Sequence, residues 1–209
     1  MGTGTFLSPA AVHDNLEATL VNPFATIQML ILLWPLVLAG QTGGTKISCA
    51  SESLPSEIQH RLAEDYGAWR IQKEEYLSAR ARGRWESERP LTCPGIAVGR
   101  FENTETRSYA VLLVHAQQTD AGYKFLVFSQ KSGEAIYEPR LVDKLDDGGA
   151  ANYFLHAVPI SKFFDEASRK RFQAHTPDGI LLIDSAESEY EVDVYFWSAG
   201  HYRHEPIDY

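Results

Sequence analysis

The chain has 209 residues, enough for one domain with a short appendage. An apolar fraction of 44% with 11% aromatics excludes wholesale disorder. All 19 Lys and Arg lie beyond position 45, with all 28 acids except Asp14 and Glu17; the resulting balance of −7 repels phosphates, so no nucleic acid is expected as a partner.

Residues 1–47 read as a leader. Its apolar core, 27–39, is 13 residues long. As a helix it spans about 20 Å, short of the ~30 Å hydrocarbon core, and Pro35 breaks its middle. The length suits a signal-peptide core, and small-residue cleavage sites follow at 37–39 and 48–50. Nothing basic precedes the core, which puts the expected translation start nearer Met29. Lys46-Ile47-Ser48-Cys49 lacks the apolar residue that a lipidated cysteine has three positions before it. The expectation is export to the periplasm or the outside, with no stable membrane span once the leader is removed. In an oxidising compartment the two cysteines, Cys49 and Cys93, are expected to pair; cleavage after Ala50 would instead leave Cys93 alone.

The remainder, 48–209, reads as a single α+β domain built mostly of antiparallel sheet. Ile58, Leu62, Tyr66 and Trp69 recur at helical spacing, so a helix is predicted over 53–69, with Pro55 in its first turn. A second is predicted over 74–85, with Leu77, Ala81 and Trp85 on one face. Arg80, Arg82, Arg84 and Arg89 cluster there, either as a solvated face paired with acids or as an anion patch. Strands follow at 96–101, 109–116, 123–129, 137–145 and 153–158. The run 109–116 is continuously apolar, as a strand buried on both faces would be, and a turn at 119–122 should make it a hairpin with 123–129. A third helix is predicted over 161–173, capped by Ser161 and carrying Arg169, Lys170 and Arg171 near its C-terminus. Pro177-Asp178-Gly179 should break the chain before a closing meander at 180–184, 190–197 and 201–207.

The segments 93–101 and 108–114 resemble the strand–loop–strand unit of secreted proteins related to FG-GAP or VCBS repeats, and 194–202 resembles the hairpin that closes such chains. The resemblance implies a β-rich exported protein. In that family the loop between the strands carries calcium-binding carboxylates and glycines. Here Arg100 stands where the first acid belongs, and both loop glycines are missing. Arg100, Glu102, Glu105 and Arg107 should pair with one another rather than cage a cation that needs six to eight oxygens.

Four constellations invite chemistry. Glu187, Glu189, Glu191 and Asp193 alternate along a predicted strand and so share a face, as a cation or basic-partner site or as a solvated sheet surface. His201-x-x-His204-Glu205 has metal-ligand residues, yet positions three apart on a strand point to opposite faces. His115 and His156 sit among apolar strand residues, and Asp143, Asp146 and Asp147 precede a Gly-Gly turn. Tyr195, Phe196, Trp197 and Tyr202 read as core and hairpin aromatics before a sugar platform. No hydrolase, zinc-protease or phosphate-loop motif occurs, and no cofactor or metal is expected. The expected function is a non-enzymatic exported domain that binds an envelope or extracellular protein. The alternatives are a small exported hydrolase using His156 or His201 with an acid, and a structural envelope protein.

Overall fold

The computed structural model describes residues 49–88, 92–130, 136–186 and 191–207. They contain three α-helices and nine strands in two antiparallel sheets. The first sheet joins β1 (Trp69–Ile71) and β2 (Ile96–Gly99) to opposite halves of the same edge of β3 (Ser108–His115), followed by β4 (Tyr123–Gln130) and β5 (Tyr137–Leu145). The second runs in order β6 (Tyr153–Pro159), β7 (Asp178–Asp184), β8 (Glu191–Ser198) and β9 (His201–Pro206). The α+β class and antiparallel meander read from the sequence are those of the structure.

Alternation along the central strands builds the layers. Ala110, Leu112 and Val114 of β3 pack with Phe125, Val127, Leu155, Ile180 and Leu182 between the sheets. Val111, Leu113, Leu126 and Phe128 face outward under helix α1 (Ser56–Asp65). On the other sheet Leu181, Ile183, Val192, Val194 and Phe196 face outward under α2 (Ala79–Glu88) and α3 (Glu166–Phe172). The central strands thus bury both faces, which is why 109–116 carries no polar alternation.

Three helix boundaries differ from expectation. Helix α1 stops at Asp65, and Trp69 enters β1 opposite His115. Gly67 ends the helix, and Trp69 nevertheless packs in the same cluster as Ile58, Leu62 and Tyr66, so periodicity reported its burial and missed its element. Glu74–Tyr76 is a separate 3-10 turn; α2 starts only at Ala79, where the Ser78 hydroxyl accepts the Ala81 N–H at 3.2 Å. Ser161 lies in a 3-10 turn, and α3 begins after Asp165, whose carboxylate accepts the Ser168 N–H at 2.7 Å and satisfies a donor that Ser161 is too far upstream to reach. Asp178 and Gly179 open β7 instead of breaking the chain. Packing is close at Gly179, where a Cβ would stand 2.9 Å from Ile160 Cδ1 and 3.2 Å from Tyr195 O.

Two features join the layers. The Leu155 N–H donates to the Pro94 carbonyl at 2.8 Å, tying β6 to the lead-in of β2. Gln72, fully buried, donates its backbone N–H to Leu112 O and its Nε2 to Ala150 O and Tyr153 O. The Cys49–Cys93 disulfide closes the far end of the first sheet over α1, with Cys93 fully buried. Among the described residues no helix is long and apolar enough to cross a membrane.

Among the described residues strand β5 is an outer edge of the first sheet. It carries Pro139 and one extra residue: Asp143 pairs with Phe125 and Leu141 with Leu126, which leaves Val142 as a bulge. Leu141 and the adjoining Ile136 are its bare apolar side chains.

Candidate functional site

Asp193 and His204, of the side chains nominated from the sequence, fall at the open side of the sandwich, where β5 faces β8 and β9. Pairing of Asp193 with Pro206, Tyr195 with His204 and Trp197 with Tyr202 puts these six toward the first sheet, while His201 pairs with Ser198 on the opposite face. The two histidines therefore diverge, as their spacing requires. His204 Nδ1 lies 3.3 Å from Asp193 Oδ1, and its ring stacks on Tyr195 with centroids 5.3 Å apart. Glu191 is exposed at the start of β8; Glu187 and Glu189 lie outside the described residues. Among the described residues no three His, Cys, Asp or Glu side chains converge as a metal site. His115 packs edge-on against Trp69, and His156 pairs with Leu181 on the face toward α2 and α3. Among the described residues His115 has no carboxylate within hydrogen-bond reach; its Nδ1 accepts the Gln117 N–H at 3.4 Å.

What the open side does hold is a knot of phenols around one carboxylate. Tyr123 and Tyr195 both donate to Asp143 Oδ2 at 2.8 Å. The bulge makes this possible. Arg140 faces inward opposite Val127, so strict alternation would point Asp143 outward; the extra residue at Val142 turns it back between the sheets. Burial first, and then Asp143, push both phenols well above the ordinary tyrosine range. Burial and Asp184 do the same to Tyr153, and burial and Glu102 to Tyr202. Nearby, the Arg140 guanidinium stacks 5.2 Å from the Trp197 centroid and pairs with Glu102 at 3.1 Å. Sharing one carboxylate, Tyr123 and Tyr195 tie β8 of the second sheet to β4 and β5 of the first. No signal in the sequence marks Asp143 for this role.

The loop 99–107 also departs from expectation. Its charges pair outward, Arg100 with Asp178 and Glu102 with Arg140, because strands β5 and β7 bring opposite charges within reach. Asn103 closes the loop by accepting the N–H groups of Glu105 and Thr106. In the arginine cluster, Arg84 pairs with Glu88 at 2.7 Å and Arg82 donates to the Glu74 carbonyl, which favours the paired face over an anion patch; Arg89 lies outside the described residues.

A receptive surface lies at the opposite end of the first sheet. A cleft of about 460 Å³ opens between α1, the free edge of β1 and the disulfide-anchored segment 49–52. Leu62, Tyr66, Trp69, Ile71 and Leu113 form its apolar wall, and Arg70 and Lys73 its basic rim, with Glu52 opposite. Lys124 lies over the rings of both Trp69 and Tyr66, at 4.8 and 5.6 Å. Two cations of this region, Arg70 and Lys124, have no carboxylate within 4.0 Å among the described residues. No protein-family model matches the chain, and neither the curated proteins nor the solved structures contain a significant match.

Proposed function

We propose that the chain is an exported binding domain whose ligand enters the cleft beside the disulfide. The cleft carries the reading: 460 Å³ lies within the ~300–1,000 Å³ common for ligand sites, and a mostly apolar wall with few convergent polar groups is their usual make-up. The Cys49–Cys93 bond and the leader-like segment 27–39 support export. The bond also favours cleavage after Ala39 over Ala50, because the mature chain must retain Cys49.

On the open side of the sandwich a hydrolase would use His204 with Asp193. That pair is largely open to solvent, and the phenol nearest it is already committed to Asp143.

The reading is tested on chain recovered from the cells that express it. Peptide mapping should find it outside the cytoplasm, beginning near residue 40 and with no free thiol. Native mass spectrometry should find a small molecule bound and released on denaturation. Cytosolic recovery from Met1 onward with two free thiols overturns export; a ligand-free protein whose cleft no probe occupies overturns binding.

A further inference from the structure

We infer that the cleft binds a fatty-carboxylate type of anion, an aliphatic chain lying on Trp69 and Leu113 with its carboxylate on Arg70; this rests on the binding-domain reading and names its ligand class. Three observations converge on it.

The first concerns the geometry of Arg70. Its Nη1 donates to the main-chain carbonyls of Gly67 and Trp69, at 3.1 and 2.8 Å. Both acceptors sit in the turn from α1 into β1, so the guanidinium is fixed by backbone rather than by a mobile side chain. Nε and Nη2 remain, and they form the planar edge that takes a carboxylate through two parallel bonds. A guanidinium already oriented loses less side-chain entropy when it binds.

The second concerns charge. The chain carries −9 overall, yet the charges gathered at this cleft are mainly cationic. Arg70 and Lys124 have no carboxylate within 4.0 Å among the described residues, and Lys73 reaches only the solvent-exposed Glu75 at 3.7 Å. Glu52 is the one acid of the wall, against Arg70 and Lys73. Such a rim discriminates against cationic ligands and against neutral ones of the same shape.

The third concerns the wall. Trp69 and Tyr66 lie under Lys124, and with Leu62, Ile71 and Leu113 they line the same cleft as Arg70 and Lys73. An apolar chain with one charged end matches that combination; a sugar or a nucleotide, polar over its whole length, does not.

Decanoate, decanol and decyltrimethylammonium are titrated into the full oxidised chain by calorimetry, with tryptophan fluorescence as a second readout. Decanoate should bind one-to-one, about tenfold tighter than decanol, while the ammonium compound should not bind. Shortening the chain should weaken binding about fourfold per methylene. Arg70→Gln, at an exposed position that leaves the core intact, should remove the tenfold preference for the acid over the alcohol. Glu52→Gln should tighten decanoate severalfold. Equal affinities for acid and alcohol, or an unaltered preference in Arg70→Gln, overturn the inference. If decanoate fails while a peptide with a C-terminal leucine carboxylate binds and is displaced by Arg70→Gln, the ligand class is wrong and the cleft stands. If neither binds, both readings fall.

Discussion

Removing the Asp143 carboxylate tests the physical account of the open side directly. Tyr123 and Tyr195 are each only 5% exposed, and both donate to the same oxygen. A hydrogen bond to a charged acceptor is worth roughly 1.5–3 kcal/mol, and a buried donor left without one costs about 1–3 kcal/mol. Asp143 is partly open to water, which can replace it, so the lower ends apply: Asp143→Ala should cost about 3 kcal/mol in all. Asp143→Asn keeps an acceptor without charge and should cost about 1–2 kcal/mol. Tyr195→Phe alone should cost about 1.5 kcal/mol, and a cycle combining it with Asp143→Ala should yield a coupling of about 1 kcal/mol. Urea denaturation at pH 7 with the disulfide intact measures all four species, and an unchanged slope shows that only stability has moved. A coupling below about 0.3 kcal/mol would mean that the phenols and Asp143 act independently, which refutes the shared-acceptor account.

The same knot fixes the alkaline limb of stability. The folded protein holds Tyr123, Tyr153, Tyr195 and Tyr202 protonated above the usual tyrosine range, so the stability they confer is complete below about pH 10 and declines as pH rises beyond it, where the unfolded chain binds fewer protons; chemical denaturation between pH 8 and 11 should show a fall that Asp143→Asn makes shallower. Cys93→Ala opens a crosslink spanning 44 residues and should lower stability by about 2–4 kcal/mol, read against the wild type in guanidinium; a loss under about 1 kcal/mol would contradict a constraint on the unfolded chain. Gly95→Ala should cost more than about 2 kcal/mol, since a Cβ would stand 2.8 Å from the Gln72 backbone nitrogen, and thermal melting checks it. Deleting Val142 removes the bulge but keeps Asp143 opposite Phe125 and facing inward, so Asp143→Ala should cost as much in the deletion background as in the wild type, read by urea denaturation.

Much of the architecture was legible because it is local. The apolar run at 109–116 and the turn at 119–122 specify β3, β4 and their hairpin without reference to the rest of the chain. Alternation in β8 put Glu191 and Asp193 on one face, as the register has it, and spacing alone separated His201 from His204. Helix ends were less legible, because competing partners decide them: Trp69 left its helical pattern to pair with His115, and Asp165 displaced Ser161 as the cap. The Tyr–Asp knot was not legible at all. It joins positions 20 and 52 residues apart, through a bulge whose extra residue leaves no mark on the alternation of an edge strand. The cleft was equally hidden: Arg70 reads as one more charge between two predicted helices until its guanidinium is seen bound to the carbonyls of Gly67 and Trp69.

Strand β5 has a consequence for how these molecules behave in company. A free strand edge ordinarily templates its own extension, and here Leu141 and Ile136 would reward a newcomer with apolar contact. Pro139 offers no N–H at that border, and the surplus residue at Val142 throws any straight visitor out of step within a few positions. The border is thus greasy enough to attract and too irregular to be copied, so concentrated solutions should stay clear where a straight nine-residue border would seed fibres.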